Sequence, residues 1–232
     1  MGESDEVKLL GAWPSPLAIR ARIAFNIKNV NYDFIQEDVE AKSELLLKLN
    51  PVHKRIPVLV HGDKPICESL IIVEYIDDVW SSGPSILPSD PYDRAIARFW
   101  ATYIDEKWFS YFKGINATLQ EKPKKAAVDQ TVEGLLVLEE AFVKCSDGKP
   151  FFGGDQIGYL DLAMGGYLAW LTVTENMNGI KLLDQAKTPQ LLKWAERFRQ
   201  HPAVIGVMPE TERLTEYANY ILPKMRGDNP PK

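Results

Sequence analysis

The sequence contains little cysteine and little histidine. Its 232 residues include 2 cysteines, Cys67 and Cys145, and 3 histidines. The two cysteines lie far apart and in no metal-ligand spacing, which excludes a disulfide scaffold and, with so few histidines, a zinc site. We therefore expect a protein of a reducing compartment that holds no metal.

Membrane-spanning and targeting patterns are also missing. No apolar run approaches the roughly 20 residues that a helix needs to cross a bilayer. Residues 1–6 are acidic and polar, unlike a secretory signal or an Arg-rich transit peptide. These features predict a cytoplasmic protein without a membrane partner.

An excess of basic charge is absent as well. Lysine and arginine number 27 against 32 aspartates and glutamates, for a net charge of −5 at pH 7. A global positive field for nucleic acid or anionic lipid is thus excluded. What is present is ordinary globular usage, with 45% hydrophobic and 25% charged residues. At about 150 residues per domain, the length predicts one large domain or two small ones.

Strand and helix patterns alternate over residues 7–80. Short apolar or alternating runs predict strands at 7–10, 32–36, 57–60 and 64–67. Helical spacing of apolar side chains predicts helices at 17–28, 42–49 and 68–80. The resulting order, βαβα-ββα, predicts a small layered α/β unit.

A stretch rich in glycine, proline and serine follows, and no convincing strand lies beyond it. Helical patterns separated by Gly or Pro predict helices at 92–116, 123–145, 159–175, 189–200 and 202–222. We therefore predict an α/β domain at 1–82, a linker at 83–91 and an all-α domain at 92–232, which ends in a loose polar tail from Met225.

The turn Trp13-Pro-Ser-Pro-Leu17 leads from the first strand into the first helix. Ser15 has the pattern of a helix N-cap followed by proline at the first helical position, which requires no further function. The same geometry places a hydroxyl beside exposed N–H groups, where an anion such as a thiolate binds. No general base and no Gly-x-Ser-x-Gly motif accompanies Ser15. If functional, Ser15 is a hydrogen-bond donor rather than a nucleophile, and both interpretations stay open here.

Charged residues are unevenly distributed along the first domain. Every charged residue between positions 7 and 32 is basic: Lys8, Arg20, Arg22 and Lys28. More positive charge precedes the hairpin, at Lys42, His53, Lys54 and Arg55, whereas the charged residues between positions 62 and 94 are mostly acidic. Most such charges are solvated, but a cleft between the two regions could hold a small zwitterion. Glu68 and Ser69 lie where a helix begins, which suits either capping or carboxylate binding.

Several longer motifs occur in a fixed order along the chain. They are Trp13-Pro-Ser-Pro, Lys42-Ser-Glu-Leu-Leu-Leu47, Asn50-Pro-Val-His-Lys-Arg-Ile-Pro-Val58, Ile66-Cys-Glu-Ser-Leu-Ile-Ile72, and Leu87-Pro-Ser-Asp-Pro-Tyr-Asp-Arg-Ala95 with Ala97-Arg-Phe-Trp100. In this order and spacing, from about Val7 to the last helix, the chain resembles glutathione transferases of the plant tau class.

The resemblance implies a thioredoxin-like N-terminal domain, an all-α C-terminal domain and a homodimer, the glutathione transferase fold. It also implies a cis peptide bond between Ile56 and Pro57, as cis bonds belong to X-Pro turns. In the segment Gly158-Tyr-Leu-Asp161 it implies a capping box in which Asp161 serves folding. Gly158 stands where many relatives have Ser or Thr, which predicts a weaker cap.

The resemblance also assigns the glutathione site. Ser15 donates a hydrogen bond to the glutathione sulfur. Lys42 and Arg55 hold the glycine carboxylate, the Ile56 backbone holds the cysteine portion, and Glu68 and Ser69 hold the γ-glutamyl amine and carboxylate. Relatives commonly have lysine where Arg55 stands, and arginine can pair with a carboxylate through two hydrogen bonds.

For the second substrate, the resemblance implies a pocket between the domains. Its predicted lining is Ala12, Pro14, Phe109, Lys113, Asn116, Trp170, Tyr217 and Ile221. Relatives often have an aromatic residue at position 12 and bulky residues near 113 and 116, so we expect a roomier or more polar pocket here.

The implied function is conjugation of the glutathione thiolate to hydrophobic electrophiles, as in detoxification, with reduction of organic hydroperoxides as a further activity. Glutathione is then a cosubstrate, and no other cofactor, metal or nucleic acid is expected. Cysteine is absent at position 15, which argues against thiol-transferase chemistry. Two alternatives remain, a carrier of apolar ligands with little catalysis and an interaction domain of a larger assembly.

Overall fold

The computed structural model of the protein describes residues 6–81 and 83–228. The acidic start at 1–5, residue 82 at the predicted domain boundary and residues 229–232 of the tail lie outside the described residues. The first part of the chain alternates between strands and helices as predicted: β1 (Val7–Gly11), α1 (Pro16–Lys28), β2 (Asp33–Gln36), α2 (Glu44–Leu49), β3 (Val58–His61), β4 (Lys64–Cys67) and α3 (Ser69–Val79).

The strands form one mixed sheet in the order β2-β1-β3-β4. β1 runs parallel to β2, with Leu9 opposite Phe34, and antiparallel to β3, with Leu9 opposite Leu59. β3 and β4 pair as the predicted hairpin, and Gly62 between them has a φ of 63° that favours glycine. α1 and α3 pack against each other, and their buried apolar side chains share one core with Leu9 and Leu59. The thioredoxin-like arrangement is confirmed.

The later part of the described chain is helical. Its elements are α4 (Pro91–Thr102), a π-helical segment (Tyr103–Trp108), α5 (Phe109–Asn116), α6 (Glu121–Ser146), α7 (Tyr159–Gly165), α8 (Leu168–Asn178), α9 (Pro189–Gln200) and α10 (Thr211–Arg226). The helix predicted at 92–116 is continuous but contains the wider π-helical turns. None of the helices within residues 6–81 and 83–228 has the length and apolar content to cross a bilayer.

The prediction of a single helix at 159–175 is wrong, because α7 ends at Gly165 and a turn at Gly166 and Tyr167 precedes α8. A Cβ atom at Gly165 would overlap the ring of Phe198 in α9, and one at Gly166 would overlap the carbonyl oxygen of Pro16 in α1. Both close approaches require a residue without a side chain. The two glycines therefore let α7 pack closely on α9 and let the turn after α7 pack directly against the start of α1.

The helix predicted at 202–222 is wrong at its start. Residues 201–208 form turns, and α10 begins at Thr211 and continues to Arg226. Gly206 within the turns has a φ of 79°, which a helix cannot contain. The polar residues up to Arg226 therefore belong to a helix rather than to the loose tail.

Asp161 anchors the start of α7. Its buried carboxylate accepts hydrogen bonds from the backbone N–H groups of Phe152, Gly153 and Gly158 and from the Trp194 indole, at 2.7–2.9 Å. Gly158 has no side chain, so only the Asp161 half of a capping box is present. Burial, opposed by these hydrogen bonds, raises the pKa of Asp161 to about 6. The three extra donors, Phe152, Gly153 and Trp194, strengthen a cap that the sequence suggests is weak.

Asp77 of α3 organises the segment between the α/β part and α4. Its carboxylate accepts hydrogen bonds from the N–H groups of Ile86 and Leu87, at 2.9 and 2.8 Å, and pairs with buried Lys28 at 2.6 Å. The connecting segment therefore has a defined path against α1 and α3. The domain boundaries themselves stay a prediction.

Candidate functional site

Ser15 lies in the turn between β1 and α1 and is the N-cap of α1. Its Oγ accepts a hydrogen bond from the backbone N–H of Ala18 at 3.2 Å, and its own N–H donates to the carbonyl of Ala12 at 2.9 Å. Within residues 6–81 and 83–228, no acceptor takes the hydroxyl hydrogen of Ser15. The capping prediction is confirmed, and capping leaves the O–H free to donate to a ligand at the positive end of a helix.

The Ser15 turn is held from both parts of the structure. The N–H of Trp13 donates to the side-chain oxygen of Gln36 in β2 at 3.1 Å. The indole N–H of Trp170 in α8 donates to the carbonyl oxygen of Pro14 at 2.7 Å. The close contact at Gly166 places the start of α8 beside the same turn. The position of the Ser15 hydroxyl therefore depends on the helical part as well as on the sheet.

A cavity of about 200 Å³ lies next to α2. Its lining includes Lys42, Lys54, Arg55 and Ile56, together with residues 37–39. Lys42, Lys54 and Arg55 are exposed and outnumber the two carboxylates of the lining, buried Glu37 and exposed Asp38, so the rim carries a net positive charge. A ligand carboxylate matches this charge.

Ile56 is positioned at the edge of β3 by the peptide bond to Pro57, which is cis as the resemblance implied. Asn50 fixes the preceding loop, since its side-chain NH₂ donates to the carbonyl of Arg55 at 2.9 Å. Among the described residues, no backbone group pairs with the N–H of Ile56. This N–H is available to an extended peptide ligand.

Glu68 has a backbone conformation that few residues with side chains adopt. Its φ is 71° and ψ is 122°, and it precedes the first residue of α3. Such a conformation costs on the order of 1–3 kcal/mol and is concentrated at ligand sites. Its side chain is exposed and makes no capping hydrogen bond, so the capping alternative for Glu68 is wrong.

Ser69 is buried and its hydroxyl is held by a charged network that the sequence did not suggest. Arg20, fully buried in α1, donates from Nη1 to Ser69 Oγ at 3.1 Å. The same guanidinium binds both carboxylate oxygens of Asp105, at 2.8 and 2.5 Å, and the carbonyl of Ala163 at 2.6 Å. Tyr167 donates to Asp105 at 3.0 Å, and burial raises the pKa of Tyr167.

The Arg20 network joins the two parts of the protein beneath the start of α3. Arg20 comes from the α/β part, and Asp105 and Tyr167 come from the helical part. One sequence signal was available, because Arg20 lies three residues after Leu17 and four before Ala24 on the apolar face of α1. Asp105 has no such signal, and it lies in the π-helical segment.

The basic residues between positions 7 and 32 do not form the positive end of a ligand cleft, so that part of the charge interpretation is wrong. Three of them bind carboxylates of this chain: Lys8 binds Glu6, Arg20 binds Asp105 and Lys28 binds Asp77. Arg20 and Lys28 are buried, because their ion pairs lie between packed helices. The positive charge at the cavity comes from the later group, Lys42, Lys54 and Arg55.

Four of the residues predicted for the second substrate lie together. The Pro14 carbonyl accepts the hydrogen bond from the Trp170 indole, and the ring centres of Trp170 and Tyr217 are 6.4 Å apart. Ile221 is buried in the same apolar cluster, where α10 packs on α8. This cluster includes Trp13, whose ring is 5.5 Å from that of Tyr217.

The other four are more scattered. Ala12 is buried, and Phe109 stacks on Tyr167 at 4.7 Å. Lys113 is exposed on the same face of α5 as Phe109, one turn later. Asn116 is not a free pocket group, because its NH₂ donates to Thr174 at 2.8 Å and its oxygen accepts from Asn178 at 3.0 Å.

Residues 5–78 match the family model described as "Glutathione S-transferase, N-terminal domain", and residues 99–202 match "Glutathione S-transferase, C-terminal domain". The chain is 63% identical over 222 residues to glutathione S-transferase U17 of Arabidopsis thaliana, covering 95% of this chain and 98% of that protein. It is 56% identical to Arabidopsis glutathione S-transferase U18, covering 97% and 99%.

Two solved plant structures are similar over nearly the whole chain. The tau class glutathione S-transferase of mango, Mangifera indica, is 64% identical with a TM-score of 0.91, covering 95% of this chain and 100% of that one. A rice enzyme solved in complex with glutathione is 34% identical with a TM-score of 0.86, covering 96% and 99%. The similarity thus extends through both parts of the structure.

Proposed function

Because the chain belongs to the glutathione S-transferase family, we propose that its Ser15 hydroxyl sets the reactivity of glutathione, its cosubstrate, toward hydrophobic electrophiles. The protein is a glutathione transferase with tau-class relatives. The role of Ser15 rests on one observation: its O–H group lies at the N-terminus of α1 and donates to no acceptor among the described residues.

The required stabilisation can be compared with what the site supplies. A free thiol has a pKa near 8.5, so only a few per cent is thiolate at neutral pH. Lowering this pKa by about two units takes about 2.7 kcal/mol. A hydrogen bond to a charged acceptor supplies about 1.5–3 kcal/mol, and a helix N-terminus about 0.3–1 kcal/mol more. Ser15 and α1 therefore suffice without a general base.

The remaining groups match the other charges of glutathione. Lys42 and Arg55 on the cavity rim suit the glycine carboxylate, and the unpaired N–H of Ile56 suits the cysteinyl backbone. Glu68 offers a carboxylate to the γ-glutamyl ammonium. Ser69, whose oxygen already accepts from Arg20, has its own hydrogen to donate to the γ-glutamyl carboxylate.

In the reaction we propose, the bound thiolate attacks an electrophilic carbon. With 1-chloro-2,4-dinitrobenzene the C–S bond forms, the C–Cl bond breaks, chloride leaves and the thiol proton passes to solvent. The electrophile is received by the residues predicted for it: Ala12, Pro14, Phe109, Lys113, Asn116, Trp170, Tyr217 and Ile221. Exposed Lys113 supports a polar end to this pocket, whereas the amide of Asn116 is already paired with Thr174 and Asn178.

Three variants of the full-length protein test the role of Ser15. Ser15→Ala removes the hydroxyl and the cap, Ser15→Gly removes the hydroxyl but costs the cap only a few tenths of a kcal/mol, and Ser15→Thr keeps both. We expect kcat at pH 6.5 to fall by about ten- to a hundredfold in Ser15→Ala and Ser15→Gly. In Ser15→Thr we expect kcat to stay near the wild-type value. Equal rates in all variants would remove Ser15 from the mechanism.

A substrate panel then separates the possible activities. Conjugation is followed with chlorinated nitrobenzenes, and hydroperoxide reduction with cumene hydroperoxide. Tight binding of apolar ligands without turnover of any substrate would instead identify a carrier. Hydroperoxide reduction stays a prediction.

We also propose a homodimer that forms through α3 and α4. These helices are linked by the pair Arg98–Glu74, and Ile71 and Phe99 beside it are 56% and 59% exposed. Large apolar side chains so exposed on neighbouring helices indicate an interaction surface. Light scattering should give the mass of a dimer, and Phe99→Glu should shift it toward the monomer. A monomeric wild type would refute the proposed dimer.

The expected location of the protein is the cytoplasm. Exclusion of a fluorescent fusion protein from the cytoplasm would refute this expectation.

A further inference from the structure

α10 crosses the α/β part at two separate places. At its start, the guanidinium of Arg213 lies 4.1 Å from the centre of the Trp13 ring, which the edge of Tyr217 also contacts. Near its end, Tyr220 and Lys224 both reach Glu40. Positions 213, 217, 220 and 224 share one face of a helix. One face of α10 therefore contacts both the turn that carries Ser15 and the loop that precedes α2.

The second contact is a three-residue cluster, here called the Glu40 clamp, formed by Glu40, Tyr220 and Lys224. The Tyr220 hydroxyl donates to Glu40 Oε2 at 2.8 Å. Lys224 Nζ donates to the two carboxylate oxygens at 2.9 and 3.1 Å, and also contacts the Tyr220 hydroxyl. Hydrogen bonds from Lys224 and Tyr220 hold the pKa of Glu40 below its ordinary value, so the carboxylate is ionised at neutral pH.

Glu40 belongs to the loop that forms one wall of the glutathione cavity. Residues on both sides of Glu40 in the sequence line that cavity, namely Glu37, Asp38, Val39 and Lys42. The clamp therefore holds a residue in the middle of this wall. The inner end of the loop is secured by buried Glu37, which accepts from the Ser43 hydroxyl at 2.7 Å. Among the described residues, side-chain hydrogen bonds tie the outer part of the loop to the helical part only at Glu40.

We propose that Glu40, Tyr220 and Lys224 are positioning residues that couple the glutathione subsite to the electrophile subsite. This inference rests on the proposed function of the cavity and of α10. The clamp fixes the loop that presents Lys42 to the glycine carboxylate, and it ties this loop to the helix that carries Tyr217 and Ile221. Occupation of the cavity by glutathione thereby orders α10, and an intact α10 strengthens glutathione binding.

The direction in which Glu40→Gln changes the Kd for glutathione distinguishes this role from a simple electrostatic effect. Glu40→Gln removes a negative charge near the carboxylate of glutathione, so charge alone would make glutathione bind more tightly. Loss of the clamp frees the loop that carries Lys42, so the coupling we propose makes glutathione bind more weakly. Since exposed ion pairs contribute little individually, we expect about a threefold rise in Kd.

Titration calorimetry with glutathione measures this effect without relying on turnover. The variants are Glu40→Gln, Lys224→Met, their combination, and the exchange Glu40→Lys with Lys224→Glu. The double variant should bind no more weakly than either single one, because both remove the same interaction. The exchanged pair should restore binding to within about twofold of wild type. Additive losses, or tighter binding by Glu40→Gln, would overturn the proposal.

A matched control and a second readout complete the test. Asp155→Asn breaks another exposed pair, Lys149–Asp155, in the helical part. Hydrogen exchange should show that glutathione slows exchange in α10 of the wild type and of this control but not of Glu40→Gln. At about 1 M salt, where screening acts within about 3 Å, the difference in Kd should shrink. Equal Kd values and equal hydrogen exchange in Glu40→Gln and Asp155→Asn would refute the role of the clamp alone. A wild type that neither binds nor turns over glutathione would refute the proposed function as well.

Discussion

Asp105→Asn tests whether the buried Arg20 network supports both the fold and glutathione binding. The substitution keeps the size and one acceptor oxygen of the side chain but removes its charge. Arg20 is fully buried, and in the variant its charge would face only neutral acceptors, namely Ser69 Oγ, the Ala163 carbonyl and the new amide oxygen. The guanidinium cannot lose its proton to escape this cost.

The expected magnitude follows from the exposure of the pair. Breaking a fully buried ion pair costs about 3–5 kcal/mol, because the remaining charge is uncompensated. Asp105 is 30% exposed and two of the three acceptor groups remain, so we expect about 2 kcal/mol. For a chain of this size that corresponds to a fall in Tm of about 4–8 °C. A loosened Arg20 also releases Ser69, and a loss of about 1 kcal/mol there raises the KM for glutathione about fivefold.

Thermal unfolding and steady-state kinetics of the full-length variant measure the two effects. Asp155→Asn is the matched control, since it makes the same chemical change in an exposed pair with Lys149, for which we expect less than about 1 kcal/mol. If Asp105→Asn is no less stable than Asp155→Asn, and the KM for glutathione is unchanged, the network has neither of the roles assigned to it.

Three further predictions concern other parts of the structure. Trp170→Phe leaves the Pro14 carbonyl without its donor, so kcat/KM should fall about fivefold in initial-rate assays, and an unchanged value would show that the Ser15 turn needs no support from α8. Gly166→Ala places a Cβ against the Pro16 carbonyl and should lower stability in urea unfolding by about 1–3 kcal/mol, whereas a neutral effect would contradict the close packing. Burial lowers the pKa of His201, so the stability it contributes is complete above its ordinary pKa near 6.5 and decreases as the pH falls through the lowered value. His201→Gln should flatten the pH dependence of Tm in that acidic range, and identical profiles would exclude the effect.

Local patterns predicted the elements of the α/β part and several helices of the other part. Alternation, capping residues and turn dipeptides act within a few residues, so β1, α1 and the β3–β4 hairpin were found at nearly their observed bounds. The N-cap role of Ser15 belongs to the same class, because Ser-Pro before a helix is a local signal.

Features that depend on distant packing could not be predicted in this way. The ion pair of Arg20 with Asp105 joins residues from two parts of the fold. Arg20 lies in a basic stretch of the sequence, which suggests a solvated side chain unless its position on the apolar face of α1 is recognised. Gly165 and Gly166 are a visible pair next to the break between α7 and α8, but their role as contact points for Phe198 and Pro16 requires the packed structure. The strained backbone of Glu68 has no signal in residue type at all.

The pKa of the glutathione thiol in the binary complex tests the central claim most directly. Thiolate absorbance in the ultraviolet, recorded against pH for the wild type, Ser15→Ala and Ser15→Gly, yields this pKa without an electrophile. The account predicts a wild-type pKa about two units below the free value near 8.5, and a rise of at least about one unit in both variants. The same pKa in all three proteins would contradict the assignment of the Ser15 hydroxyl as the donor that activates glutathione.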